Sequence, residues 1–150
     1  MYDTLKKVYG YHAFRPGQQE LVERLLAGQD VLGVMPTGSG KSLCYQIPAL
    51  LLPGTTLVIS PLISLMKDQV TALKLRGITA AFLNSSMDEN EYRETARQAA
   101  TGAYKILYAA PERLQAPGFQ DVCRNIDIPL VAVDEAIASH SGGRISGQAI

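Results

Sequence analysis

The chain reads as an α/β protein built on a mostly parallel sheet. Three observations predict this. Short apolar runs alternate with segments of helical periodicity, glycine or proline ends nearly every helical segment, and one apolar run passes through a glycine-rich loop straight into a helix. Strands alternating with helices pair in parallel, because each crossover returns the chain to the same end of the sheet. A length of 150 residues suits one domain with a sizeable core. With 47% hydrophobic and 19% charged residues, the composition excludes disorder over most of the chain.

Taken in order, Leu21, Val22, Leu25 and Leu26 recur at helical spacing, with Pro16 suited to a first turn and Gly28 to a stop, so a helix is expected from Pro16 to Ala27. The apolar run Asp30 to Met35 then predicts a buried strand entering the glycine loop, and Lys41 to Leu52 a helix closed by Pro53 and Gly54. The alternation repeats as strand Thr56 to Ser60, helix Leu62 to Leu75 stopped by Gly77, and strand Ala80 to Leu83. Helix Asp88 to Ala100 ends at Gly102, and strand Ile106 to Ala109 follows. A short helix is expected near Pro111 to Leu114, an irregular stretch through Pro117 and Gly118, and a last strand from Leu130 to Asp134.

Fourteen Lys and Arg balance fourteen Asp and Glu, so the composition carries no basic footprint and any nucleic-acid contact must come from local patches. Two cysteines, Cys44 and Cys123, stand far apart, which excludes a disulfide framework or a Cys-rich zinc site. His12 has no second ligand placed to help it and reads as an exposed loop residue. The N-terminus lacks the apolar stretch of a secretory signal, and nowhere do about 18 apolar residues run together, so a soluble, intracellular chain without a membrane span is expected. Ile137 to Ile150 changes character, being small and rich in Gly and Ser.

Two motifs carry chemistry. Met35 to Ser42, MPTGSGKS, lies between a predicted strand and a predicted helix, the context a phosphate loop needs. Backbone N–H groups of Pro36-Thr37-Gly38-Ser39-Gly40 would wrap a phosphate, proline excepted. The helix N-terminus adds positive potential, Lys41 reaches the terminal phosphates, and Ser42 would ligate Mg²⁺. The strict pattern has glycine where Met35 stands, and a plain glycine turn into a helix would look similar. The second motif is Leu130 to Ala136, LVAVDEA, in which apolar residues run into two carboxylates at a strand end. Alone it could be a strand end with solvated charges. Downstream of a phosphate loop, Asp134 reads as the residue that holds the Mg²⁺ shell, and Glu135 as the one that activates the attacking water. Together the motifs imply hydrolysis of a nucleoside triphosphate.

From about Leu5 to Ala136 the sequence resembles the first RecA-like motor domain of a bacterial RecQ-type DNA helicase of superfamily 2. Tyr9-Gly10-Tyr11 with Phe14-Arg15-Pro16-Gly17-Gln18 is similar to the family's base-reading motif, which implies that Tyr11, Arg15 and Gln18 contact the adenine side of ATP. A glutamine amide can pair with both a donor and an acceptor on that edge. MPTGSGKSLCYQIPALL fits the family's first motif, including its non-glycine start. LVISPLISLMKDQV and YAAPERL are similar to its DNA-gripping motifs, with Ser64 and Lys67 the better candidates for contact; an amphipathic helix packed on the sheet would show much of the first pattern too. The resemblance implies an incomplete RecA-like P-loop NTPase lobe over residues 1–136, with ATP and Mg²⁺ as cofactors. It implies 3′ to 5′ unwinding in recombination and repair, on single-stranded DNA and duplex with a 3′ overhang, in the bacterial cytoplasm at the nucleoid.

The chain departs from that family after Ala136. The family continues DEAH with histidine and then a stretch like CISQWGQDFRPSY, whereas Ile137 and an unrelated tail stand here. Synonymous codons for Ala136 to Ile150, read from the third base of the Ala136 codon, can spell HCISQWGQDFRPSY. One lost base in that codon therefore accounts for residues 137–150 as an out-of-frame, disordered tail. The strand of the family's next motif, which inserts between the phosphate-loop strand and the Asp134 strand, is then missing, and two sheet edges are left unpaired. The expectation is a truncated lobe that does not unwind DNA and hydrolyses ATP weakly or not at all. The rival from another class is a non-enzymatic ATP- or nucleic-acid-binding fragment, or a non-functional one. A small-molecule kinase with the same loop would lack the base-reading motif.

Overall fold

The computed structural model describes residues 1–35 and 40–134. The chain opens with a helical segment unassigned from sequence, in which an α turn at Tyr2–Thr4 (α1) runs into a π-helical turn at Leu5–Tyr9 and ends at Gly10. Its fully buried residue is Leu5, which packs with Val22, Leu43 and Ile47. A single apolar anchor leaves no periodic pattern to read.

Helix α2 spans Gln18–Leu26 and buries Val22 and Leu25. Helix α3, Lys41–Leu51, buries every residue from Leu43 to Ala49, so it is enclosed on all sides. Beyond it come β1 (Thr56–Ile59), α4 (Ile63–Leu75), β2 (Ala80–Leu83), α5 (Glu89–Ala99) and β3 (Ile106–Ala109). A 3-10 turn at Pro111–Arg113, α6 (Pro117–Asn125) and β4 (Leu130–Val133) complete the described chain. The Asp88 carboxylate caps α5 by accepting from the Glu91 N–H at 2.8 Å.

The four strands form one parallel sheet in the order β2-β3-β1-β4, with Thr56 level with Ile106 and with Leu130. Alternation within β1 sends Val58 to one face, with Tyr45, Met66 and Tyr108, and Leu57 and Ile59 to the other, with Phe119 and Val122. Helices thus cover both faces, which is why the strands read as continuous apolar runs. This is the α/β, parallel-sheet class expected from sequence.

Two expectations need correction. Among the described residues Asp30 to Met35 does not join the sheet: Leu32 makes an isolated bridge, and Leu32 and Val34 are 71% and 90% exposed. A strand exists through its ladder, and among the described residues β4 pairs with β1 alone, leaving this segment no neighbouring strand in register. Val31 and Met35 still pack against the core, so the alternation survives without the pairing. The stretch through Pro117 and Gly118, expected to be irregular, starts α6. Proline fits a first helical turn, and burial of Phe119 and Val122, three residues apart, holds the helix down.

Candidate nucleotide site

Gly40 joins the loop to α3 with φ +77°, in the left-handed region, a conformation that residues bearing a Cβ rarely adopt. Gln18, at the start of α2, fixes this junction. Its Oε1 accepts from the Arg15 N–H at 2.8 Å and its Nε2 donates to the Gly40 carbonyl at 2.9 Å. A Cβ added at Gly40 would lie 2.7 Å from that Nε2. The residue expected to read a base is therefore wedged against the loop expected to hold phosphates, and it is only 1% exposed.

Lys41 and Asp134 meet. The first is the opening residue of α3; the second follows β4, where its N–H donates to the Ile59 carbonyl at 2.8 Å and so extends the ladder to β1. Lys41 Nζ stands 3.4 Å from Asp134 Oδ1. Asp134 is 4% exposed, and a carboxylate so deep requires a cationic partner. Ser42 follows Lys41 on the same helical turn. Among the described residues no three His, Cys, Asp or Glu gather as a metal cage. One carboxylate and one hydroxyl beside the loop expected to hold phosphates are instead a donor set that suits Mg²⁺, which keeps waters and takes phosphate oxygens.

Beside this pair opens a cavity of about 370 Å³, with Tyr11, Arg15, Gln18, Gly40 and Ser42 in its wall. The structure thus gathers the expected base-side residues next to the start of α3. Sequence reasoning missed other residues of the cavity lining, among them Tyr9, Gln46, Gln69 and Arg76. The Tyr9 hydroxyl donates to Gln46 Oε1 at 2.6 Å, and the buried Gln69 Oε1 has no partner among the described residues. The available signal was Gln46, an amide within the buried run Leu43 to Ala49 of α3.

Behind the cavity, the Tyr45 and Tyr108 hydroxyls lie 2.8 Å apart on α3 and β3. Burial lifts both above the ordinary tyrosine range, Tyr45 well above it, and the field of Asp134 adds to the effect in each. Ser64 and Lys67 lie exposed three residues apart on α4, on a common face. His12 is exposed, as expected. Pro36, Thr37, Gly38, Ser39, Glu135 and the tail lie outside the described residues.

The DEAD/DEAH box helicase family model matches residues 15–145. The chain belongs to that family. This DEAD/DEAH box domain is 52% identical over 133 residues to the ATP-dependent DNA helicase RecQ of Bacillus subtilis (strain 168), covering 88% of this chain and 22% of that protein. It is 50% identical over 133 residues to the RecQ of Haemophilus influenzae, covering 89% and 22%. It matches the N-terminal part of their motor domain, and the chain spans about a fifth of the length of these relatives. Among solved structures, a hypothetical ATP-dependent RNA helicase from Sulfolobus tokodaii superposes with a TM-score of 0.69 at 22% identity, over 89% of this chain and 41% of that one. That similarity speaks for a RecA-like fold alone. No helix among the described residues is long and apolar enough to cross a membrane.

Proposed function

We propose that the chain is the nucleotide-binding part of the first motor lobe of a RecQ-type, ATP-dependent 3′ to 5′ DNA helicase of bacterial recombination and repair. The observation that carries this reading is the 3.4 Å approach of Lys41 to Asp134 beside a cavity walled by Tyr11, Arg15 and Gln18. Lys41 turns to the terminal phosphates, Pro36 to Gly40 cradle them, and Ser42 with Asp134, the latter through water, holds Mg²⁺. Mg²⁺, when bound, neutralises charge on the phosphate oxygens. Glu135 activates the attacking water, while Tyr11, Arg15 and Gln18 face adenine. Ser64 and Lys67, exposed on α4, grip a DNA backbone, single-stranded or at a 3′ overhang, in the cytoplasm at the nucleoid.

The 150 residues alone bind ATP without unwinding DNA, and residues 137–150 are the product of a lost base. Non-enzymatic nucleotide binding gains support from Asp30 to Met35, the segment that leads into the phosphate loop yet pairs with no strand of the sheet among the described residues.

The test is titration of the chain with ATP and GTP in Mg²⁺, with Lys41→Ala as control, followed by hydrolysis with and without single-stranded DNA. ATP should bind more tightly than GTP, and Lys41→Ala should weaken it at least about tenfold, equivalent to ~1.4 kcal/mol. Binding indifferent to Lys41 refutes the site. DNA-stimulated hydrolysis at the rate of a full-length relative refutes the claim about the chain alone.

A further inference from the structure

One arginine links several residues of the cavity lining. Arg76 lies immediately beyond α4, its guanidinium 4.7 Å from the centre of the Tyr9 ring, and its Nη1 donates to the Val8 carbonyl at 2.9 Å. That carbonyl belongs to the last turn of the N-terminal helical segment, where an arginine suits both the outward carbonyls and the negative end of the helix dipole. The Tyr9 hydroxyl in turn reaches Gln46 on α3. Gly10 follows in a left-handed conformation with nothing within 4 Å of a Cβ position, and residues 10–13 are all exposed. The segment carrying Tyr11 therefore has little packing of its own, and the anchor immediately before it is Tyr9.

We propose that Arg76 is a positioning residue for the base side of the nucleotide site: through Tyr9 and Gln46 it ties the end of α4 to α3 and holds Tyr11 at the cavity wall. This rests on the reading of the cavity as a base site. The geometry makes a specific demand. The flat guanidinium both stacks on a ring and donates in its own plane, which an ammonium cannot do at once. Binding energy at Tyr11 is then available only while Arg76 keeps the loop ordered, since an unheld loop would have to be ordered at the moment of binding.

The experiment titrates the whole chain, Arg76→Ala, Arg76→Lys and Tyr9→Phe with ATP and with inorganic tripolyphosphate, both in Mg²⁺. Tripolyphosphate engages the phosphate loop and offers nothing to the base side. Arg76→Ala should weaken ATP about five- to tenfold and leave tripolyphosphate unchanged, with Arg76→Lys and Tyr9→Phe intermediate. An unchanged ATP affinity in Arg76→Ala overturns the proposal, and so does an equal loss for both ligands, which marks general destabilisation. If the unmodified chain binds ATP no more tightly than tripolyphosphate, the base site itself falls and the role of Arg76 with it. Base-dependent binding indifferent to Arg76 removes this inference alone.

Discussion

Substituting Gly40 by alanine tests the wedge between Gln18 and the glycine-loop junction at Gly40, and Gly77→Ala supplies its control. Both glycines have left-handed backbones, φ +77° and +80°, and a residue with a Cβ pays about 1 kcal/mol there. At Gly77 nothing lies within 4 Å of the added atom, so that strain is the whole cost. At Gly40 the methyl would sit 2.7 Å from Gln18 Nε2, nearer than real contacts allow. Gln18 is 1% exposed and cannot retreat without releasing its bonds to Arg15 and Gly40, each worth about 1 kcal/mol net. The expected cost is therefore ~3 kcal/mol for Gly40→Ala against ~1 kcal/mol for Gly77→Ala. A chain of this length loses roughly 3 °C of melting temperature per kcal/mol, so circular-dichroism melts should fall by about 9 °C and about 3 °C. In a Gln18→Ala background the obstruction is gone, and Gly40→Ala should then cost no more than Gly77→Ala, a non-additivity of ~2 kcal/mol. Equal melting losses for the two glycines, or a strictly additive double variant, would refute the reasoning.

Tyr108→Phe takes one of its partners from the buried Tyr45 hydroxyl, leaving it the Gln46 side chain, and should cost about 1 kcal/mol, while Tyr45→Phe/Tyr108→Phe removes both hydroxyls and should recover part of the loss; urea melts compare the three. Stability should also fall at alkaline pH. Burial pushes the Cys44 thiol from an ordinary 9.0 up to about 11, and Tyr45 and Tyr108 move upward too. The folded state keeps protons that the unfolded chain releases above pH 9, so this stabilisation is intact below that pH and disappears as pH rises through 11. Melting temperature measured from pH 8 to 11 should decline steadily, and Cys44→Ala should flatten the decline.

Where a residue's role is local, the sequence shows it. Strands β1 and β3 are buried on both faces, and a continuous apolar run is the direct imprint of that. Lys41 follows a glycine loop and Asp134 follows an apolar run, each recognisable within a few residues. The same signal misled at Asp30 to Met35, because apolar alternation describes a face, whereas a strand also requires a neighbour. At Pro117 and Gly118 the opposite error arose, since turn-forming residues masked the helical pair Phe119 and Val122. Arg76 was illegible for a third reason: it stands 68 residues from the carbonyl it caps, and nothing in KLRG distinguishes it from a solvated charge closing a helix.

The Lys41 and Asp134 pair also constrains how the proposed site must work. Asp134 is only 4% exposed, so drawing Lys41 away takes positive charge from beside a deeply buried carboxylate, which is unfavourable. Should Lys41 turn to a phosphate, as proposed, a cation arriving beside Asp134 in the same event would replace the charge withdrawn. The phosphate would itself bring negative charge toward that carboxylate, which makes the need larger. A triphosphate arriving without a divalent cation therefore competes with Asp134 for Lys41, while one arriving with it relieves both. Phosphate and cation affinities at this site are thus linked through two side chains 3.4 Å apart, and each should strengthen the other by the same factor.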